Sequence, residues 1–280
     1  MIEVNKIYCG QAELVLLKIP DNFIDCTITS PPYDNLRDYE GYAGFDFHSI
    51  AKQLYRVTKE NGVIVWIVND ATKDGNETGT SFKQALYFKE IGFKLHDTMI
   101  YERETPYPQS KRYKQNFEYM FILVKGNIKT FNQIKDIQRK QINTPLAGGH
   151  RQKDGTIAKL SNKAKQRMLK ANANQLIARS NVWKYAVGYM QTTTDKTAYK
   201  HPATFPEKLV KDHIITWTNE KDIILDCFMG SGTTAKVSHL LNRKFIGIEI
   251  SEKYCKIAQQ RIAPYINNLY SNITDVIINN

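Results

Sequence analysis

The chain has 280 residues, a length that accommodates one large α/β domain with an insertion or two small domains. Hydrophobic residues make up 42% of the chain, which is enough for a sizeable core, and the formal net charge is +11. A positive surplus of this size favours a polyanionic partner, usually nucleic acid, although a basic enzyme without such a partner has the same bulk charge.

The cysteines and the apolar stretches exclude several further classes. No two of the four cysteines have the C-x-x-C spacing typical of a zinc site, so no metal is expected. The amino-terminal segment lacks the pattern of a signal peptide, and no apolar stretch reaches the length of a membrane span. These patterns predict a reduced, cytoplasmic protein without a membrane partner.

Strand and helix patterns alternate along the first half of the chain. The apolar, β-branched run at Phe23–Thr29 stops at a Ser-Pro-Pro sequence, as a buried strand ended by proline does. In chain order, we predict a strand at Val4–Cys9, a helix at Ala12–Lys18, a strand at Phe23–Thr29, a helix at Phe47–Lys59, a strand at Val63–Val68, a helix at Thr80–Ile91 and a strand at Tyr119–Val124.

The segment between Lys129 and Lys184 holds the positive surplus of the chain. It has thirteen basic and two acidic residues, a net charge of +11 that equals the charge of the whole chain. This composition shift indicates a separate module, whose Arg, Lys, Asn, Gln and His side chains are the types that reach phosphates and base edges. Taken alone, the segment fits a solvated, partly disordered insert equally well, but the motifs that flank it favour contact with DNA.

The alternation of strands and helices resumes after the basic segment. In chain order, we predict a helix at Pro206–Thr216, a strand at Ile223–Cys227, a helix at Thr234–Leu241, a strand at Lys244–Ile248 and a helix at Lys253–Ile262. Strands that alternate with helices predict βαβ units and a mainly parallel sheet, so the expected fold class is α/β.

A glycine-rich loop follows the strand that ends at Cys227. Gly230, Gly232 and Ala235 fit the G-x-G-x-x-[G/A] nucleotide fingerprint, and Glu249 lies nineteen residues after Gly230, at the end of the next strand. The glycines permit a tight turn, the following helix offers free N–H groups, and the acid can accept from ribose hydroxyls. An ordinary tight turn with a surface glutamate is the structural alternative. Only 31 residues follow Glu249, so we expect the rest of the sheet to come from the amino-terminal half.

In this order of motifs the chain resembles the β-class S-adenosylmethionine-dependent DNA amino-methyltransferases, which methylate cytosine N4 or adenine N6. Members of that family have a [D/S/N]-P-P-[Y/F/W] tetrapeptide, here Ser30-Pro31-Pro32-Tyr33, followed by a target-recognition region and an F-x-G-x-G loop, here Phe228–Gly232. They also have an H-P-x-x-x-P-E element, here His201–Glu207, which helps to hold the methionine part of the cofactor. The resemblance implies a circularly permuted Rossmann-like fold with helices on both faces of the sheet and a basic target-recognition insert.

The resemblance also implies a division of the chain and roles for individual residues. Residues 1–126 and 196–280 are expected to form the catalytic and cofactor-binding domain, and residues 127–195 the target-recognition region. Many members end their first strand in Gly-Asp where this chain has Gly10-Gln11, whose amide oxygen can still accept from the cofactor adenine. The expected residues of the S-adenosyl-L-methionine site are Gln11, Thr204, Phe205, Pro206, Asp226, Phe228, Gly230, Ser231, Gly232, Thr233 and Glu249.

Basic residues of the insert, together with one residue after the tetrapeptide, are the predicted contacts to DNA. They are Arg37, Arg139, Lys140, His150, Arg151, Lys153, Lys163, Lys165 and Arg167. Arg37 fits a polar surface turn at least as well. The expected partner is double-stranded DNA, and a homodimer and a cognate restriction endonuclease are further candidates, in a bacterium or a phage.

The tetrapeptide suits methylation of an exocyclic amine. The lone pair of that nitrogen is conjugated into the base, so two acceptors, the Ser30 hydroxyl and the Pro31 carbonyl, are expected to orient its N–H groups, while Tyr33 stacks on the base. Because the amine is paired within a duplex, the base has to flip out. Serine at the first position is more often found in the cytosine-N4 enzymes of the family, so cytosine N4 is favoured and adenine N6 stays open.

Other classes fit the sequence less well. Cytosine-C5 methylation uses a cysteine nucleophile that typically follows proline, and this chain has no Pro-Cys dipeptide. RNA and protein-glutamine methyltransferases usually have the cofactor loop before the tetrapeptide, which is the reverse of the order here. A catalytically silent DNA-binding protein with the same fold is the more distant alternative.

Overall fold

The computed structural model describes residues 2–32, 44–103, 111–138, 149–169 and 176–266. The chain divides into two compact units, the first formed by Met1–Asn132 with Asn181–Asn280 and the second by Gln133–Ser180. The second unit is shorter than the target-recognition region 127–195 expected from the sequence, since residues 127–132 and 181–195 belong to the first unit.

Strands and helices alternate over much of the first unit. In chain order the strands are β1 (Lys6–Cys9), β2 (Ile24–Thr29), β3 (Thr58–Val68), β4 (Thr72–Lys73), β5 (Asn76–Glu77), β6 (Lys94–Arg103), β7 (Phe117–Val124), β8 (Lys135–Gln138), β9 (Gly149–Arg151), β10 (Ile157–Lys159), β11 (Leu176–Ala178), β12 (Val182–Tyr185), β13 (Ile223–Asp226) and β14 (Lys244–Glu249). The α-helices are α1 (Ala12–Leu16), α2 (Phe47–Val57), α3 (Thr80–Glu90), α4 (Asn162–Leu169), α5 (Glu207–Trp217), α6 (Thr233–Leu240) and α7 (Glu252–Ile262). Short 3₁₀ helices lie at Lys196–Lys200 and Ala263–Tyr265.

One eight-stranded sheet organises the first unit. Its strand order is β1-β14-β13-β2-β3-β7-β6-β12. The five strands from β1 to β3 run parallel to one another, β7 is antiparallel to both β3 and β6, and β12 is parallel to β6. The first and last parts of the chain therefore supply neighbouring strands of one mostly parallel sheet, as a circularly permuted α/β fold requires.

The core lies where the central strands meet α2 and α3. Residues 63–68 of β3 are all buried, because this strand is covered on both faces, and its run of apolar side chains reflects that position. On α2, four residues at helical spacing are buried against the sheet: Ile50, Ala51, Leu54 and Val57. The buried Trp66 retains a polar contact, since its Nε1 donates to Gln84 Oε1 at 2.9 Å.

Two strands of the sheet have no counterpart among the predicted elements. In β6 exposed and half-buried side chains alternate from Lys94 to Thr98, so the strand has no continuous apolar run. β12 has four residues and lies inside the region that the sequence assigns to the basic insert. The helix predicted to reach Lys59 ends at Val57, because Thr58 already pairs with Ile24 of β2.

The second unit contains two small antiparallel ribbons and one helix. β8 pairs with β11 and β9 pairs with β10, while α4 is the only helix among its described residues. Arg179 and Asp136 form an ion pair, with Nε of the arginine 2.8 Å from Oδ1 of the carboxylate. None of the side chains whose burial is described in this unit is buried.

The described ranges of the chain contain no helix that is both long and apolar enough to cross a membrane. They also contain no cluster of three or more His, Cys, Asp or Glu side chains placed to hold a metal ion.

Candidate active site

The loops at one edge of the large sheet surround a cavity of about 670 Å³. Because β1, β14, β13, β2 and β3 are parallel, their carboxyl ends share this edge, which is where α/β proteins bind ligands. The cavity is lined by the residues that follow these strands, among them Gln11 after β1, Ser30 after β2, Phe228 after β13 and Ile250 after β14. Its volume is in the range of small-molecule and cofactor sites.

The loop between β13 and α6 depends on two glycines in the left-handed region. Gly230 has a φ of +52° and Gly232 a φ of +79°, which L-residues with side chains rarely adopt. A Cβ atom on Gly232 would lie 2.7 Å from the Cβ of Ala258, and one on Gly230 would lie 2.9 Å from the ring of His201. The two glycines therefore let the loop turn tightly against α7 and the imidazole, and they direct the amino end of α6 toward the cavity.

Glu249 ends β14 beside this loop. Its side chain is only 8% exposed, and its Oε2 accepts from the backbone N–H of Gly230 at 2.8 Å. Its Oε1 accepts from the N–H of Ser251 at 2.9 Å. Burial raises the pKa of this carboxyl group, although both hydrogen bonds oppose the shift. The result is a fixed acceptor that lines the cavity and suits hydroxyl groups.

Asp226 ends β13 and connects the glycine loop to β2. Its Oδ1 accepts from the Thr29 hydroxyl at 2.7 Å and from the backbone N–H of Phe228 at 3.2 Å. Burial is the main influence on this carboxyl group and raises its pKa to about 6, while hydrogen bonds from Thr234, Thr29 and Phe228 act in the opposite direction. Asp226 thus ties the end of β2, immediately before Ser30, to the loop that lines the cavity.

The buried guanidinium of Arg261 on α7 holds the glycine loop through hydrogen bonds. Its Nη1 donates to the Ser231 carbonyl at 2.6 Å, to the Ser231 hydroxyl at 2.9 Å and to the Thr233 hydroxyl at 3.1 Å. Its Nε and Nη2 pair with Asp195 at 2.8 Å and Glu207 at 3.1 Å. No sequence pattern marks Arg261 for this role, because its partners come from three separate parts of the chain.

The segment that leads into α5 forms another wall. His201 accepts from the N–H of Ala203 at 3.1 Å and packs edge-to-face on Tyr254, with the ring centroids 4.3 Å apart. The Thr204 hydroxyl donates to the Ala198 carbonyl at 3.0 Å. These contacts hold the residues before α5 against the cavity, which they line together with Tyr254.

Polar side chains also line the cavity on the other side of β2. Tyr101 and Arg103 end β6, and Glu118 is the second residue of β7. Arg103 Nη1 lies 3.4 Å from Glu118 Oε1. Burial raises the pKa of Tyr101, so its hydroxyl stays protonated. Tyr101 and Arg103 gave no signal in the sequence because β6 was not predicted.

Comparison with known proteins assigns this arrangement to a family. The family model for N6/N4 DNA methylases, described as "DNA methylase", matches residues 24–260 of the chain. The orphan methyltransferase M.BamHII of Bacillus amyloliquefaciens is 53% identical over 251 residues, which cover 89% of this chain and 92% of that protein. The chain belongs to the N6/N4 DNA methylase family. It is therefore a DNA methyltransferase, as the resemblance of its motifs predicts.

More distant relatives and solved structures extend the comparison. The type II methyltransferase M.BglII of Bacillus subtilis is 29% identical to this methylase over 96% of the chain and 72% of that protein. The cytosine-N4-specific PvuII DNA methyltransferase has 20% identity and a TM-score of 0.66, over 96% of this chain and 90% of that one. The complex of M1.HpyAVI with SAM has 23% identity and a TM-score of 0.60, over 92% and 98%. These two structures support the fold, so the predicted Rossmann-like α/β class is confirmed.

Most of the residues that the sequence assigns to cofactor binding in this methylase lie around the cavity described above. Those that line it are Gln11, Thr204, Phe205, Pro206, Asp226, Phe228, Gly230, Ser231, Thr233 and Glu249. Gly232 is not among the lining residues and packs against Ala258 instead. Two residues of the tetrapeptide, Ser30 and Pro32, line the cavity. Pro31, which lies between them in the sequence, is buried, and Tyr33 lies outside the described residues.

The predicted DNA contacts are described only in part. Arg37, Arg139 and Lys140 lie outside the described residues, and His150 lies in β9. The remaining ones belong to the second unit, where Arg151, Lys153, Lys163 and Arg167 are exposed and Lys165 is half-buried. Their assignment to DNA stays a prediction.

Proposed function

We propose that this DNA methylase transfers a methyl group from S-adenosyl-L-methionine to the exocyclic amine of a base flipped out of double-stranded DNA. Cytosine N4 is the favoured acceptor and adenine N6 the alternative. The observation that supports this proposal best is the position of Ser30, which lines the same cavity as the glycine loop and Glu249 and follows the strand next to β13.

The donor groups around the cavity fit the proposed cofactor. Glu249 offers a fixed carboxylate for ribose hydroxyls, and Gln11 offers an amide oxygen for an adenine amino group. The buried carboxyl group of Asp226 suits a cationic partner, because a nearby positive charge favours its ionised form. Thr204, Phe205 and Pro206 are proposed to contact the methionine part. When bound, the cofactor supplies an electrophilic methyl group on a positively charged sulfur.

The residues after β2 are proposed to orient the target amine, which receives the methyl group. The Ser30 hydroxyl and the Pro31 carbonyl accept from the two N–H groups of the amine, which orients the nitrogen for in-line attack. Two successive prolines restrict this loop, so the acceptors are fixed before the base arrives. Tyr33, which lies outside the described residues, is proposed to stack on the base. The reaction depends on placement more than on a strong base, since neutralisation of the sulfonium drives it.

The basic second unit is proposed to bind the DNA that carries the target base. Phosphate contacts from its lysines and arginines offset the cost of unpairing and unstacking the base, which is a few kcal/mol. Two observations support this division of roles: the side chains whose burial is described in the second unit are not buried, and the cavity belongs to the first unit.

The proposal is tested by tritium transfer from labelled S-adenosyl-L-methionine to duplex DNA. We expect Ser30→Ala to lower kcat by about 10²-fold, because the nitrogen is then poorly oriented, while cofactor affinity is unchanged. Ser238→Ala is the matched control: its hydroxyl is buried on α6 without a hydrogen-bond partner among the described residues, so its loss leaves the rate unchanged. Full activity of Ser30→Ala would contradict the assignment of the active site.

Calorimetry with S-adenosyl-L-methionine separates the enzyme from a silent DNA-binding protein. The proposal expects saturable binding that is lost in Glu249→Ala. The absence of binding at millimolar cofactor, together with retained DNA affinity, would favour the silent protein. Parallel assays with RNA and with protein substrates are expected to show no transfer.

A further inference from the structure

The cavity extends to both sides of Ser30. The residues proposed to bind the cofactor follow β1, β13 and β14, which lie on one side of β2 in the sheet. On the other side of β2 the order continues through β3, β7 and β6, and the end of β6 contributes Tyr101 and Arg103 to the same cavity. The catalytic serine therefore stands between the cofactor half of the cavity and a second half with its own polar groups.

The strand register determines which side chains face each other in this second half. Tyr101 of β6 is opposite Glu118 of β7, and the backbone N–H of Arg103 donates to the Asn116 carbonyl at 2.7 Å. Arg103 Nη1 lies 3.4 Å from Glu118 Oε1, which is close enough to balance the charge of the guanidinium. These pairings hold the arginine at the wall of the cavity.

The guanidinium of Arg103 keeps hydrogen-bonding capacity beyond this ion pair. Its Nε is buried and has no hydrogen-bond partner among the residues that the structure describes. Buried donors are rarely left unpaired, because the hydration that they lose is then not replaced. A ligand with acceptors on one edge would satisfy the guanidinium, and such a ligand has to fit the cavity beside Ser30.

We propose that Arg103, held by Glu118, binds N3 and O2 of a flipped cytosine and thereby selects cytosine as the methyl acceptor. This inference rests on the proposed function. In cytosine the two acceptors N3 and O2 lie next to each other on the edge that begins with the N4 amine. An arginine fork can donate to two adjacent acceptors at once, while Ser30 and Pro31 accept from the amine.

Adenine matches this arrangement less well. Next to its N6 amine the same edge has one acceptor, N1, followed by a C–H group at position 2. One donor of the guanidinium would then be left unpaired in a buried site, which disfavours adenine. Glu118 is a positioning residue in this scheme, because it holds the guanidinium and does not itself contact the base.

The first experiment identifies the methylated base. Nucleosides from the DNA of cells that express the full chain are separated and quantified by mass spectrometry, and the modified site is mapped. We expect N4-methylcytosine. N6-methyladenine would overturn the inference and leave the proposed function intact, whereas the absence of any methylated base would contradict the proposed function itself.

The second experiment tests the contact on a duplex that carries the mapped site. We expect Arg103→Met to lower kcat/KM by about 10²-fold, because the site can no longer bind N3 and O2, while the affinity for S-adenosyl-L-methionine is unchanged. Arg243→Met is the matched control, since it also removes a half-buried guanidinium, one that donates to the Thr218 and Leu241 carbonyls away from the cavity lining. Its kcat/KM is expected to equal that of the unaltered protein.

A change in the base tests the contact to N3 in the unaltered protein as well as in the variants. In the analogue duplex a C–H group replaces N3 of the target cytosine. We expect the unaltered protein to lose activity on this duplex, and Arg103→Met to lose less through the same change of base, because the variant no longer has the contact to N3. Equal activity of the unaltered protein on both duplexes, or losses that add, would overturn the inference. Glu118→Gln is expected to weaken the discrimination between the two duplexes.

Discussion

The carboxyl group of Asp226 has an unusual position for an ionisable side chain. It is buried at the end of β13, it accepts from Thr29 and Phe228, and it lines the cavity in which the cofactor is proposed to bind. Burial raises its pKa to about 6, so the group is mostly ionised at neutral pH and becomes protonated in mild acid. Its charge therefore changes in a pH range where the protein can be assayed.

Cofactor affinity is expected to follow this ionisation. S-adenosyl-L-methionine is cationic at sulfur, and a cation bound beside Asp226 favours the ionised form, so binding lowers its pKa. Affinity is then full at pH values above 6 and falls as the pH decreases below that value, by up to about tenfold per pH unit. Calorimetric titrations between about pH 5 and pH 8 measure the dependence.

Asp226→Asn separates this effect from other titrating groups. Burial also raises the pKa of Glu249, which therefore contributes to the pH dependence of any ligand at this site. The asparagine variant keeps the shape and an acceptor for Thr29 but has no charge to lose. We expect it to bind more weakly at neutral pH and to have a flatter profile in acid. Parallel profiles of the two proteins would contradict the assignment.

Individual residues differ in how far their roles could be predicted from the sequence. The glycine loop, Glu249 and Ser30 were predicted because a local run of residues, with its spacing, encodes the turn and the helix start that create the site. Arg261 and Arg103 were not predicted. Their contacts join residues far apart in the chain, and neither arginine belongs to a local motif.

At the scale of elements, α7 and the glycine loop are joined by a buried ionic network. Arg261 donates to Ser231 and Thr233 and pairs with Asp195 and Glu207. Although burial acts in the opposite direction, the hydrogen bond and charge of Arg261 lower the pKa of Asp195. The network fixes the loop at the start of α6, where Ser231 and Thr233 line the cavity.

Loss of this ionic network is expected to affect both stability and cofactor binding. Arg261→Met removes the guanidinium from Asp195 and from Glu207, although Glu207 keeps Lys236 at 2.8 Å. Breaking a buried pair in this way costs about 3–5 kcal/mol of unfolding free energy. Because the loop is no longer held, the affinity for S-adenosyl-L-methionine is expected to fall as well. Urea denaturation and calorimetry measure the two effects.

Lys256→Met is the matched control on the same helix. Lys256 pairs with Glu252 at 2.6 Å, but both side chains are more than half exposed. Exposed pairs contribute little to stability, so this variant is expected to retain both stability and affinity. If Arg261→Met behaved like Lys256→Met, the network would not support the loop.

Strands were predicted correctly where buried side chains form a continuous apolar run in the sequence. The central strands β2, β3, β7, β13 and β14 are apolar runs covered on both faces, and all were predicted within a few residues of their bounds. β6 was missed because exposed and half-buried side chains alternate along much of it, and β12 because exposed and buried side chains alternate along its four residues. These two strands complete the half of the cavity that the sequence analysis did not describe.

At the scale of the whole molecule, the two units differ in how much apolar surface they bury. The first unit buries the core around β3 and α2 and contains the cavity. The second unit has ribbons of three or four residues per strand, and none of the side chains whose burial is described there is buried. With little apolar surface to bury, its function is expected to rest on surface charge.

Charge on the second unit is expected to determine how salt affects DNA binding. Each lysine or arginine that neutralises a phosphate releases counterions, which contributes about 0.9 to the slope of log affinity against log salt. Lys163, Lys165 and Arg167 lie together on α4, and replacing all three with alanine is expected to reduce that slope by about 2–3. Affinity for S-adenosyl-L-methionine should be unchanged, since its proposed site lies in the first unit.

An equal change of charge in the first unit controls for net charge alone. Lys52 on α2 and Lys83 and Lys89 on α3 are exposed helical lysines that do not line the cavity. Replacing these three with alanine removes the same charge and is expected to leave the salt slope as it was. Fluorescence anisotropy with a labelled duplex at several salt concentrations measures both triple variants. Equal slopes in the two variants would mean that DNA responds to the overall charge of the chain, and the second unit would then lose its proposed role as the DNA-binding surface.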